Sequence, residues 1–565
     1  MAKVISIGNQ SFESIRKDDC FYIDKTHFIK EWWENKDNVT LITRPRRFGK
    51  TLNMSMLECF FSNKYKDRGD LFEGLEIWND EKYRKLQGTY PVIFLSFAGI
   101  KQVKYNETVI KIKDELIRIY NEYDYIMKSG IYNTNEKMQY QSVCVGMSDT
   151  VAQEALKNLS NYLSRYYGKK VIILLDEYDT PMQEAYVNGY WEELVAFTRS
   201  LFNSTFKTNP YLERAIMTGI TRVSKESIFS DLNNLKVITV TSDEYSKCFG
   251  FTEDEVFAAL DEQGLSSEKE KVKLWYDGFT FGDEKDVYNP WSIINFLDEK
   301  KYKTYWADSS SNGLVNELIR TGSAEIKKTM ETLIAGGTVE KNIDEQIVFE
   351  QLKTNKDAVW SLLLASGYLR VETFRTEGRL NKKIYSLKLT NYEVEQMFGT
   401  MIERWFGGAD VPYNEFINAM LNGDIESMNE YMNRVTRGVI SYFDTGKTPS
   451  DEEPERFYHG LVLGLMVEQV DNYILNSNRE SGYGRYDIML EPIDKTNEKY
   501  PGIIIEFKVI NPRKESSLEE TVAVALKQIE EKNYDAELIK RGVKEENIHH
   551  YGFAFKGKEV LIDGR

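Results

Sequence analysis

The run Val171-Ile172-Ile173-Leu174-Leu175, ending in Asp176-Glu177, restricts the fold more than any other segment of the chain. Five consecutive apolar residues leave no polar face, so the strand they form must be covered on both sides, as in a parallel sheet flanked by helices. The surrounding sequence supplies the rest of such a sheet. Asn38–Pro45, Tyr90–Phe97 and Arg214–Val223 read as further short strands, and Thr108–Tyr125 and Thr150–Tyr167 as helices between them. Another helix follows Thr51, with Leu52, Met56, Leu57, Phe60 and Phe61 at helical spacing. Strands separated by helices predict a doubly wound α/β domain over residues 1–250.

The turn RPRRFGKT joins the first strand to its helix, where a phosphate-binding P-loop would sit. Gly49, Lys50 and Thr51 fit the end of GxxxxGK[ST], but Arg44 replaces the first glycine and Pro45 follows it. In this reading Lys50 reaches the β and γ phosphates of ATP and the Thr51 hydroxyl binds Mg²⁺. Backbone N–H groups at the helix start form the anion cradle. Arg44 either distorts that cradle or adds a phosphate contact. Arg47 counts as a further contact, although Arg46-Arg47 also fits a solvated face. The apolar strand ending in Asp176-Glu177 matches a Walker B element. Asp176 would hold the Mg²⁺ shell, and Glu177 would activate water. Thr218, near the end of its strand, stands where a polar sensor meets the γ-phosphate, and Arg222 is a further candidate contact. Taken alone, an acidic pair after an apolar strand also marks an ordinary strand end reaching solvent.

Residues 251–410 turn helical and aromatic. An amphipathic helix over Asp357–Tyr368 precedes two alternating strands, YLRVETF and KKIYSLKL, joined by RTEGRLN. The pattern fits a winged-helix-like module and equally a plain hairpin packed on helices. Residues 411–453 read as a helical connector (Asn414–Phe443) ending in the polar linker DTGKTPSDEEPE. The last segment, 454–565, is expected to hold a helix (Phe457–Leu475), strands GRYDIMLEP and GIIIEFKV, a helix (Ser517–Asn533) and the strand HHYGFAF.

Within that tail, Asp487 lies on one strand, with Glu506 and Lys508 on the next. Side chains at i and i+2 share a face of a strand, so Glu506 and Lys508 point one way and Ile505 and Phe507 the other. Carboxylates on neighbouring strands suit Mg²⁺, which takes oxygen ligands, with Mn²⁺ as the alternative. Such an ion lowers the pKa of a bound water and stabilises charge on a scissile phosphate. A lone ExK pair would be a surface ion pair; the apolar run before it, Asp487 and the order of elements argue for a site.

Asp487 followed by Glu506-Phe507-Lys508 resembles the PD-(D/E)XK nuclease superfamily. That resemblance implies a restriction-endonuclease-like α/β core with Asp487, Glu506 and Lys508 catalytic and Asp487 and Glu506 on the metal. It adds Gln528, on the following helix, as a polar contributor, and an acidic residue on the first helix, for which Glu455 is the candidate and Glu480 the alternative. FYIDKT, RPRRFGKT, LLDEYDTPM and TGITRVSKESIFSDLNNL, with WYDGF and YNPWS, look like the AAA-ATPase-like proteins of bacteria. Many of these carry such a nuclease domain at the C-terminus. The resemblance implies a multidomain α/β chain in which a P-loop ATPase is fused to a nuclease-like domain. The leading expectation built on it is that ATP binding controls a Mg²⁺-dependent nuclease acting on nucleic acid, DNA first. The rival is a non-catalytic, nucleotide-switched module that binds nucleic acid or protein.

Composition adds limits. A net charge of −16 over 565 residues argues against a protein that coats nucleic acid non-specifically, but not against a local basic groove. Four scattered cysteines without CxxC spacing give neither a disulfide framework nor a zinc site. No stretch suits a membrane span or a signal peptide, so a cytoplasmic protein without membrane partners is expected. The sequence does not choose between monomer and oligomer. His459, His549 and His550 fit hydrogen-bonded roles better than metal ligation, and Trp32, Trp33, Trp275, Tyr276 and Trp291 fit packing better than base stacking.

Overall fold

The computed structural model describes residues 3–565 except 222–227, 230–231, 308–314, 316–317, 320–323, 335, 344–357, 379–381, 407–413, 440–471, 478–479, 482–483, 486, 498, 512–513 and 557–558. Arg222, Glu455 and His459 lie outside the described residues, as does most of the expected helix 457–475. The chain divides into two compact units, 1–310 with 340–393, and 311–339 with 394–565.

The first unit is built on a five-stranded sheet. Its strands are β1 (Val39–Thr43), β2 (Val92–Ser96), β3 (Val171–Asp176), β4 (Leu212–Gly219) and β5 (Leu235–Ile238). All pair in parallel, in the order β2-β3-β4-β1-β5. Every residue of β1 and β3 is buried, as the apolar run requires. Helix α1 (Lys50–Phe61) covers one face, where Met54, Met56, Leu57, Phe60 and Phe61 join Ile42, Ile172, Leu174 and Ile216 in one core. Each such buried aliphatic side chain contributes on the order of 1.5–3 kcal/mol. Strand β5 escapes the sequence pattern because its burial is partial and its LKVI run is short. The order places β4 between β1 and β3, so Thr43, Asp176 and Thr218 converge at one end of the sheet.

Residues 251–310 and 358–393 belong to this unit rather than to a separate middle domain. Helix Ala358–Ala365 precedes an antiparallel hairpin, Leu369–Glu377 with Lys382–Leu389. The helix ends earlier than expected because Ser366-Gly367 turn the chain, and a Cβ on Gly367 (φ 87°) would fall 2.9 Å from both Pro45 and Phe279.

The second unit holds a mixed sheet of β6 (Tyr473–Ser477), β7 (Ile488–Pro492), β8 (Gly502–Val509), β9 (Ile548–Lys556) and β10 (Glu559–Gly564) in that order. Only β8 and β9 are parallel. Tyr473–Leu475 are therefore strand, not the end of a helix. The helices Asn414–Asn422 and Ile425–Val439 are no connector. Phe416, Met420, Met428 and Met432 cover Ile503, Ile505 and Phe507 on one face of the sheet, and Asn429 and Asn433 donate to the carbonyls of Ile562 and Val560. The opposite face carries Met489, Ile504 and Ile548 beneath Ile529, on helix α2 (Leu518–Lys532), and Tyr534. Ile503, Ile505 and Phe507 thus face one layer, and Ile504, Glu506 and Lys508 the other. Among the described residues no helix is long and apolar enough to cross a membrane.

Candidate functional sites

The loop 44–49 leaves β1 and enters α1 through Gly49 (φ 76°). A Cβ there would meet nothing within 4 Å, so the left-handed conformation alone calls for glycine. Arg47 also has positive φ, 65°. Its guanidinium lies 4.2 Å from the Trp291 ring centre, which holds the loop residue in this uncommon conformation. Phe48 is wedged between Phe279 and Phe281, with ring centres 4.8 and 5.3 Å away, and the Arg46 carbonyl accepts from Asn289 and the Trp306 indole.

Lys50 begins α1 and is buried. Its ammonium donates to the carbonyls of Arg44 (3.0 Å) and Pro45 (2.8 Å), and burial lowers its pKa against the pull of Glu177, Asp176 and Asp179. Thr51 Oγ1 donates to Asp176 Oδ2 at 2.7 Å, and Thr218 Oγ1 donates to the other oxygen, Oδ1. Burial raises the Asp176 pKa, and the two hydroxyls oppose that rise. Glu177 adopts φ 51° next to Asp176; its N–H points to Thr218 Oγ1 (3.4 Å) and its carboxylate accepts from Thr180. A buried ammonium with only carbonyl partners, beside a buried carboxylate held by two hydroxyls, suits an anion with an accompanying hard cation.

Arg44 lies elsewhere. It is fully buried, and its guanidinium donates to the carbonyls of Thr43 (2.9 Å) and Thr239 (2.7 Å) while stacking 4.6 Å from the Phe281 ring centre. Burial pushes its pKa down to about 10. Its charge serves carbonyls at the end of β1 and just after β5.

Sequence reasoning missed Asp179. This buried carboxylate accepts through Oδ2 from the N–H groups of Ile220 (3.0 Å) and Thr221 (2.9 Å) and from the Thr221 hydroxyl (3.1 Å). A Cβ on Gly219 would fall 2.7 Å from Asp179 Oδ1, so only glycine lets the β3 turn approach the end of β4. The sequence shows an acid three residues after Asp176, but not that it is buried.

In the second unit, Asp487 precedes β7 directly, and its Oδ2 accepts from the Phe507 N–H at 2.8 Å. The antiparallel register pairs Ile488 with Ile505, which continues to Asp487 opposite Glu506. Glu506, 2% exposed, accepts through Oε1 from Lys508 Nζ at 2.8 Å and from Gln528 Nε2 on α2. The structure thus brings Asp487, Glu506, Lys508 and Gln528 together. Tyr534 was missed: its hydroxyl accepts from Gln528 at 3.2 Å, burial raises its pKa, and Glu506 and Asp487 add to the rise. Asn533, in left-handed conformation (φ 54°), ends α2 and turns Tyr534 back under the sheet, which spacing along the helix does not reveal. His550 pairs with Asp535 at 2.6 Å, and His549 with the Tyr551 hydroxyl. Trp32 and Trp275 pack against other aromatic rings.

Residues 6–229 match the family of predicted AAA-ATPases, and residues 453–564 match the PD-(D/E)XK nuclease superfamily. The chain carries an AAA-ATPase-like domain and a PD-(D/E)XK nuclease superfamily domain. Among curated proteins it is similar to an uncharacterized protein in the vnfD 5′ region of Azotobacter chroococcum mcd 1, 26% identical over 398 residues, covering 70% of this chain and 68% of that one. Among solved structures it matches a STAND signal transduction ATPase with a tetratricopeptide repeat sensor from Pyrococcus horikoshii. That match has 13% identity and a TM-score of 0.23 and covers 80% of this chain. The chain spans 54% of that structure's length.

Proposed function

We propose that the AAA-ATPase-like domain binds and hydrolyses ATP with Mg²⁺ and that this controls a divalent-metal-dependent nuclease in the C-terminal domain, acting on DNA. The observation that carries the reading is the cluster of Asp487, Glu506, Lys508 and Gln528 on facing elements of one sheet and helix. Asp487 and Glu506 are the oxygen donors for Mg²⁺ or Mn²⁺, which would acidify a bound water and offset charge on the phosphate. Lys508 would then leave Glu506 to orient that water and meet a phosphate oxygen. Gln528 fixes the Glu506 carboxylate, and Tyr534 fixes Gln528.

In the nucleotide domain, Lys50 exchanges the Arg44 and Pro45 carbonyls for phosphate oxygens. Thr51 and Asp176 hold the cation shell, Glu177 orients water and Thr218 reports on the γ-phosphate. Arg47 and the segment containing Arg222 are further phosphate candidates. Arg44 shapes the loop from behind. The rival reading, a switched binding module without turnover, draws on the bracing of loop 44–49 by Phe48, Asn289 and Trp306. Cleavage of end-labelled duplex DNA in Mg²⁺ or Mn²⁺ separates the two. The nuclease reading predicts cutting by the parent and none by Asp487→Asn or Lys508→Met. Equal cutting by all three proteins, or DNA capture without cutting by the parent, overturns it.

A further inference from the structure

Three carboxylates outside both sites converge in the first unit. Glu253 opens helix Glu253–Glu262, Asp277 follows helix Lys269–Tyr276, and Asp286 lies on strand Glu284–Tyr288. One oxygen from each lies within 4.8 Å of the others. Lys273 donates to Glu253 Oε2 and stands 3.8 Å from Asp286, and the Tyr288 hydroxyl donates to Glu253 Oε2 at 3.2 Å. These donors serve Glu253 first. Asp277 is only 8% exposed, and its buried Oδ1 has no hydrogen-bond partner.

A buried carboxylate oxygen left unpaired keeps the desolvation penalty of a charged group with nothing to offset it. The cost rises when a second carboxylate faces it, unless a cation stands between them. The backbone holds the groups in this arrangement. Asp286 has φ 56°, and Gly278, directly after Asp277, has φ 118°, where a Cβ would fall 2.1 Å from the Thr390 carbonyl oxygen.

We propose that Glu253, Asp277 and Asp286 form a binding site for a hard divalent cation, Ca²⁺ or Mg²⁺, separate from the nucleotide and nuclease sites. An all-carboxylate donor set spread over three elements matches the oxygen preference of these ions, and waters complete the shell. Lys273 is the competitor the ion must displace from Glu253. The site ties two helices to the strand pair Phe279–Phe281 and Glu284–Tyr288, whose Phe279 and Phe281 grip Phe48 of the phosphate loop. Cation binding would therefore stiffen the seat of that loop.

The test is Tb³⁺ titration of the full chain, read as emission sensitised by Tyr288, with Ca²⁺ as competitor. Asp286→Asn, at an exposed position, and Asp277→Asn should each weaken the Ca²⁺-competable signal at least about tenfold. Asp487→Asn and Thr51→Ala should retain it. Lys273→Gln should tighten it by about tenfold, because the competing ammonium is gone. Titrations of Asp277→Asn and Asp286→Asn that match the parent overturn the proposal. So does a parent without Ca²⁺-competable emission whose melting temperature rises on Asp277→Asn, since the cluster then holds a proton instead of an ion.

Discussion

Replacing Arg44 by methionine separates a phosphate ligand from a residue that shapes the loop. The guanidinium donates to Thr43 O at 2.9 Å and Thr239 O at 2.7 Å and stacks on Phe281, all in a fully buried setting. Hydrogen bonds from a charged donor contribute about 1.5–3 kcal/mol each, so the two bonds together account for about 3–6 kcal/mol. Removing the charge also removes its desolvation cost, which returns part of that loss. A net destabilisation of about 3 kcal/mol follows, because the two carbonyls stay buried without a donor. For a unit of this size that lowers the first thermal transition by about 4 °C. Differential scanning calorimetry with and without ATP, together with ATP titration, measures both quantities. Arg44→Met should melt early yet still be stabilised by ATP. The reasoning fails if the melting temperature is unchanged and ATP affinity alone falls by about tenfold or more.

Lys50→Met should abolish ATP-dependent stabilisation without lowering the melting temperature of the nucleotide-free protein. Burial lowers the lysine's pKa, so its charge costs stability at neutral pH and the cost fades as pH rises toward the ordinary lysine value; parallel melts at neutral and alkaline pH check the sign. Asp179→Ala should cost about 2–4 kcal/mol by leaving the Ile220 and Thr221 N–H groups unpaired, seen in denaturant unfolding. Asp179→Asn should be milder: burial raises the carboxyl pKa, so the ionised form is penalised as pH climbs from the ordinary aspartate range, and the amide has no such penalty. Tyr534→Phe should slow DNA cleavage by less than Gln528→Ala, because it removes only the support of Gln528, and single-turnover rates rank the two.

Periodicity and burial logic carried most of the architecture. The Val171–Leu175 run could only be an interior strand, and the alternation of Ile503 to Lys508 fixed which face carries chemistry. Loop 44–49 was legible as a phosphate turn from Gly49-Lys50-Thr51, but the direction of the Arg44 side chain depends on Thr239 and Phe281, far away in sequence. The same holds for Asp179, whose partners lie just past the end of β4, and for Tyr534, placed by a left-handed Asn533. The helices 414–422 and 425–439 carry amphipathic patterns that show a buried face without saying which sheet they cover. Strand β5 and the edge strand β10 are short segments whose partial burial blurs alternation.

The measurement closest to the central claim is a crystal structure of the full chain soaked in Mn²⁺, read by anomalous scattering. The account predicts a peak shared by the Asp487 and Glu506 carboxylates, at about 2.0–2.3 Å from their oxygens, with Lys508 Nζ displaced from Glu506. A map with no manganese between Asp487 and Glu506, and the Lys508–Glu506 pair intact at saturating Mn²⁺, would contradict it.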